Sequence, residues 1–179
     1  MGLSKRISPI CIVAATFAAA APGWAGEPTP APVKLAVYGF ELKDFSAGGG
    51  IIAPDQRDAT YLGEATEEAK RQLAQSGRFA LVDMSPAQDD GPVKTHQMTS
   101  CDKCIGPITR KLGADQAVIG TITRINRTEY TLLIQFFDAQ SGEPVANYYT
   151  SLRMGANYAW PRGVTWLMRN RILAEHASH

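Results

Sequence analysis

Histidine and cysteine are scarce: the 179-residue chain has three of each. Cys11 falls inside the N-terminal apolar run, so an exported chain would keep only Cys101 and Cys104. Two thiols exclude a disulfide-dense scaffold. Zinc needs four ligands, and the chain does not gather them: His96 stands five residues before Cys101 with no fourth ligand near, and His176 and His179 sit in the terminal tail. Haem attachment is excluded because Ile105, not histidine, follows Cys104. Copper held by Cys101, Cys104 and His96 or Met98 is compatible with ligand softness alone. An excess of charge is missing too. The 18 basic residues fall by two, Lys5 and Arg6, to 16 against 17 acidic once a leader is removed, a net charge of −1. That balance gives no electrostatic reason to expect nucleic acid or an anionic membrane as partner. Beyond the N-terminus no apolar run reaches the roughly 20 residues that cross a bilayer. No Gly-x-Ser-x-Gly elbow, phosphate loop or dinucleotide fingerprint occurs, and no Ser/His/Asp set presents itself.

What the chain does have begins with a leader. Lys5 and Arg6 precede the apolar stretch Ile10–Ala21, and Gly23-Trp24-Ala25 supplies small residues for cleavage, so residues 1–25 read as a signal peptide. Residues 26–32 form a proline-rich spacer. Residues 33–173 are long enough for one domain with a real core, and 174–179 are a fraying tail. No membrane span is expected after cleavage.

Inside the domain the periodicities alternate between strand and helix. Val33–Leu42 reads as a first strand. A loop from Phe45 to Ala59 follows, holding Gly48, Gly49, Gly50, Asp55, Arg57 and Asp58. Its three glycines allow close backbone approach, which suits either a ligand or partner loop or a plain connector. Asp55 and Asp58 alone do not make a cation site. A helix N-capped by Thr60 carries Leu62, Ala65, Ala69 and Leu73 on one face and solvated charges on the other, with Gly77 as its stop. Arg78–Met84 is a second strand, which makes a right-handed parallel crossover with the first. Residues 85–100 form a polar surface excursion. A short helix beginning near Ile105 ends at Gly113. Strands over Gln116–Asn126, Tyr130–Phe137 and Pro144–Leu152 follow, the last polar enough to be an edge. The closing helix, Trp160–Leu173, buries Trp160, Val164, Leu167, Met168 and Ile172. A second stripe of Arg162, Trp166 and Arg169 either holds an acidic partner surface or lays arginine stems over the indole. The expected fold is α+β, one domain, order β-α-β-α-β-β-β-α, with a mixed sheet and helices over one face.

Cys101 and Cys104 are separated by two residues at a helix start. In an oxidising compartment the default is a disulfide, and its small loop makes it a fixture for the helix entry. The alternatives are thiol–disulfide exchange, since a helix N-terminus favours the thiolate, or metal handling.

Several strings carry a resemblance: Arg78-Phe79-Ala80-Leu81-Val82-Asp83, Cys101-x-x-Cys104, Lys111-Leu112-Gly113-Ala114-Asp115-Gln116, Phe136-Phe137-Asp138-Ala139-x-x-Gly142-Glu143, Trp160-x-Arg162-Gly163 and Trp166-Leu167-x-Arg169-Asn170-Arg171. Together, over about Val33 to Leu173, the chain resembles a family of small secreted bacterial proteins catalogued as a domain of unknown function. The resemblance implies no activity, and it suggests partners in periplasmic quinoprotein oxidation systems. Ser76-Gly77-Arg78-Phe79 and Leu112-Gly113-Ala114-Asp115 are also similar to the amino-terminal domain of the Tol-Pal propeller protein and the core of the curli secretion subunit, which implies binding to other envelope proteins.

The resulting expectation is a periplasmic, non-enzymatic accessory or partner-binding protein without a cofactor. Its candidate surface is Gly48, Gly49, Gly50, Asp55, Arg57 and Asp58 with Arg162, Trp166 and Arg169. The alternative is a thiol–disulfide or metal-handling protein centred on Cys101 and Cys104.

Overall fold

Two apolar segments far apart in sequence, Val33–Val37 (β1) and Gln116–Arg124 (β4), lie side by side in parallel, with Ala36 opposite Ala117 and Val37 opposite Val118. In a computed structural model the described residues are Gly2, 30–51, 55–101, 103–153 and 156–174. The expected signal peptide, most of the spacer and the tail from residue 175 lie outside them. The described residues from 31 onward form one compact unit.

The sheet is mixed, in the order β3 (Phe79–Leu81), β1, β4, β5 (Glu129–Asp138), β6 (Pro144–Arg153), with β2 (Glu41–Asp44) also paired to β4. β3 joins β1 in parallel. β5 and β6 add antiparallel hairpins. The α+β class, the crossover strands, the hairpins and the edge position of the last strand are all as expected.

The expected single first strand is two. β1 ends at Val37, and after three intervening residues β2 (Glu41–Asp44) continues farther along the same side of β4. The step at Tyr38-Gly39-Phe40 has a steric cause on each side. A Cβ on Gly39 would stand 2.9 Å from His96 Nδ1, so only glycine lets that loop approach. The buried Phe40 ring lies over Gly120 of β4, where a Cβ would stand 2.3 Å from the ring.

The sheet is packed on both faces, which corrects the expectation of helices over one. Leu35, Val37, Phe40, Val118, Ile122, Leu132 and Ile134 meet the helices α1 (Gln56–Gln75) and α4 (Ala156–Leu167). α4 continues as a wider turn over Met168–Ile172, whose last carbonyl accepts from Arg78 Nη1 at 3.3 Å. Residues of the opposite parity, Ala36, Tyr38, Ala117, Ile119 and Phe137, meet Met98 and the short helix α3 (Ile105–Lys111). Residues 85–100 are therefore no mere surface excursion. They contain a four-residue helix, α2 (Gly91–Lys94), between single turns, and they bury Ala87 and Met98. The anchor is Glu41. Its buried carboxylate accepts from the Met98 and Thr99 backbone N–H groups and from the Thr99 hydroxyl. Buried charge without such donors would be expensive, so Glu41 fixes this segment to the sheet. His96, which enters it, holds a φ of 51°, uncommon outside glycine.

Helix α1 starts earlier than a Thr60 cap implies. Asp55 is the N-cap and accepts from Arg57 N at 2.9 Å, while the Thr60 hydroxyl donates back to Gln56 O. An aspartate in extended backbone satisfies a free N–H of the first turn. That is why the helix begins inside the expected loop.

Candidate functional site

The glycine loop joins β2 to α1 at one end of the sheet. Its described part is folded into tight turns: Gly49 N donates to Ser46 O, and Ile51 N to Gly48 O. Gly49 is required by space, because a Cβ would stand 2.3 Å from Asp44 O, and Gly50 by its φ of 74°. These turns hold Phe45 and Ile51 out in solvent, 74% and 83% exposed.

Beneath the loop is a charged knot that periodicity did not predict. Arg124, at the end of β4, donates from Nη1 to Asp44 Oδ2 at 2.8 Å, from Nη2 to Asp58 Oδ1 at 2.6 Å, and from Nε to Tyr130 OH at 3.1 Å. Its guanidinium also lies 5.5 Å from the Tyr130 ring centre. Burial opposes the Arg124 charge, but its hydrogen bonds to Asp58, Tyr130 and Asp44 outweigh it and raise its pKa. Burial likewise opposes the Asp44 charge, and donors from Ser46 and Arg124 bring its pKa below the usual range. The Asp58 side chain is only 5% exposed. It thus belongs to this internal knot and is withdrawn from the candidate surface, whereas Asp55 and Arg57 pair with each other in solvent at 2.6 Å. The signal for the knot was there: an arginine near the end of an apolar strand, with Asp44 and Asp58 on either side of the glycine loop.

Next to the knot, the Trp160 ring lies 6.0 Å from Tyr61 and 5.9 Å from Tyr130. Asp58 Oδ2 and Trp160 Nε1 are buried without a hydrogen-bond partner among the described residues.

On α4 the two sides are fixed by contacts. Thr165 faces α1, donating to Glu68 Oε1 at 2.7 Å, and Gly163 faces β6, where a Cβ would meet Leu152 at 2.6 Å. Trp166 is 48% exposed, and Arg162 and Arg169 are exposed without an ion pair among the described residues. The guanidinium groups found over rings are those of Arg78 and Arg124, not these two. No hydrogen bond joins the glycine loop to this stripe among the described residues. Glu68 is no free surface charge either. It accepts from Arg71, Gln72 and Thr165, and chiefly the Arg71 bond brings its pKa down to about 2.

Cys101 and Cys104 stand at disulfide distance, with Cα atoms 5.7 Å apart. Cys104 is the residue before α3 and packs against the second core. Among the described residues no three His, Cys, Asp or Glu side chains are grouped to hold a metal. No described helix is long and apolar enough to cross a membrane.

A family model described as "Protein of unknown function (DUF2380)" matches residues 33–172. No curated protein sequence matches the chain. Among solved structures, the LpoB C-terminal domain from Salmonella enterica is 21% identical, with a TM-score of 0.50 over 72% of this chain and 87% of that one. Lipoprotein GNA1162 from Neisseria meningitidis is 12% identical, with a TM-score of 0.52 over 82% of this chain and 98% of that one. TolB from Acinetobacter baumannii is 16% identical, with a TM-score of 0.44 over 81% of this chain and 29% of that one. At these identities the likeness is one of fold.

Proposed function

The chain belongs to the DUF3280 family, and we propose that it is a non-enzymatic protein of the bacterial envelope that acts by binding a protein partner. The observation that carries this reading is the glycine loop. Its turns hold two large apolar side chains, Phe45 and Ile51, in water at the end of the sheet. Exposed apolar groups on a braced loop are characteristic of recognition. The charges below them are bound to one another, with Arg124 held by Asp44 and Asp58, and this suits a scaffold better than acid–base chemistry. Arg162, Trp166 and Arg169 offer a second, cationic and aromatic surface. The leader-like N-terminus and the Cys101/Cys104 pair suit the periplasm. A lipoprotein of the same fold, GNA1162, agrees with an envelope setting. The partner class that the family resemblance suggests is an envelope or quinoprotein oxidation system.

The test is affinity capture from periplasmic extract with wild-type protein, Phe45→Ser/Ile51→Ser and Arg162→Ala/Arg169→Ala, read by mass spectrometry. The expected result is a partner recovered by the wild type and lost with at least one variant. Equal recovery by all three proteins overturns the assignment of these surfaces. Turnover of a substrate by the purified protein overturns the non-enzymatic reading.

A further inference from the structure

Strand β6 is the last of the sheet. β5 takes its inner side, and among the described residues no strand takes its outer side. It is ten residues long, and from Pro144 to Leu152 it carries no charged side chain. Natural edges of this length are normally blocked by lysines, prolines or bulges. Here Pro144 and a bulge that leaves Val145 without a partner on β5 lie at the first turn of the strand, and Ala146–Leu152 continues in regular register. On the adjoining sheet face, Thr131, Leu133 and Gln135 of β5 are only half-buried among the described residues. α3 and its neighbouring turns cover Ala36, Ala117, Ile119 and Phe137 on that side. Leu133 of β5 and Tyr149 of β6 belong to neither core although they sit directly opposite each other. Tyr149 is 58% exposed, and Gln135 is bound to Asn147 at 2.8 Å beside it.

We propose that β6 is a dimer interface: β6 of one copy pairs antiparallel with β6 of a second copy about a two-fold axis near Tyr148–Tyr149, joining two sheets into one. The occupant is a second copy because of the charge pattern. Under a two-fold, each side chain near the axis meets itself or a close neighbour. Asn147, Tyr148, Tyr149, Thr150 and Ser151 are all neutral, so self-pairing incurs none of the like-charge repulsion that a charged edge would create. The pairing satisfies the outward backbone groups of β6 and covers the two Tyr149 rings. The inference stands apart from the partner surfaces proposed above, since it uses neither the glycine loop nor the arginine stripe.

Charge swapping at one exposed position tests it. Sedimentation of the wild type over a wide concentration range is expected to show a monomer–dimer equilibrium. Tyr149→Lys and Tyr149→Glu, each alone, are expected to weaken it about tenfold or more through like-charge contact across the axis. An equimolar mixture of the two is expected to recover association as a heterodimer. Because the Tyr149 side chain is largely in solvent, both variants should keep the wild-type far-UV circular dichroism, and its melting temperature at concentrations where the wild type is monomeric. A wild type that stays monomeric overturns the proposal, as does a dimer unaffected by either variant or a mixture that associates no better than its components. A different protein's strand seated on β6 in place of a second copy overturns it as well.

Discussion

Gly120 lies directly beneath the ring of Phe40, with no room for a methyl group between them. This contact lets the chain step from β1 to β2 while staying against the same side of β4. Gly120→Ala is therefore expected to destabilise the fold by about 1–3 kcal/mol through overpacking. Pairing it with Phe40→Leu should cost less than the two single changes added together. Urea unfolding of the four proteins checks both statements. An alanine tolerated without loss would mean the ring can move aside.

Arg124→Ala leaves Asp58 buried without its cation. The expected loss is about 3 kcal/mol, well beyond the cost of truncating an exposed arginine such as Arg162. Chemical denaturation of the two variants in parallel measures the difference, and equal losses would show that the knot contributes nothing special.

Glu68 gives a pH signature. Its folded pKa of about 2 lies below the ordinary carboxylate value, so its stabilising effect is present in full above pH ~4.5 and fades as pH falls toward 2. Because the group is partly in solvent, the effect should be ~1 kcal/mol. Glu68→Gln should remove that part of the acid sensitivity, so wild type and variant converge in stability as pH drops through the window. Thermal melts from neutral to acid pH read the convergence; parallel curves would show that Glu68 is not the group responsible.

The Cys101/Cys104 pair closes a loop of four residues, for which the chain-entropy estimate is about 2 kcal/mol at most. In protein purified without reductant, Cys101 and Cys104 should not react as free thiols until reductant is added. Cys101→Ser/Cys104→Ser should remain folded with a modestly lower melting temperature. A pair that a mild reductant opens, or that carries metal, would favour the thiol or metal reading instead.

The strands were legible wherever burial is two-sided or strictly alternating. Val118, Ile119 and Ile122 leave β4 no other structure, and Tyr130–Phe137 declares its two faces by parity. The break after Val37 was not legible, because it depends on what lies across the sheet, a glycine in β4 and a histidine in a distant loop. Residues 85–100 looked like surface for a similar reason. Their polar composition hides a single buried methionine and a carboxylate that binds their backbone from another strand. At the candidate site, the loop and the exposed stripe of α4 were visible as residue types. The partition of Asp55 to solvent and Asp58 to the interior was not, since both aspartates read alike until Arg124 is placed between the strands.

Among the described residues, five of the eighteen side chains buried in the larger core, Trp160, Val164, Leu167, Met168 and Ile172, come from α4 and the turn that continues it. Until that helix docks, the α1 side of the sheet lacks all five and presents apolar surface to water. Closure of the larger core is therefore a long-range event that the hairpins alone do not complete.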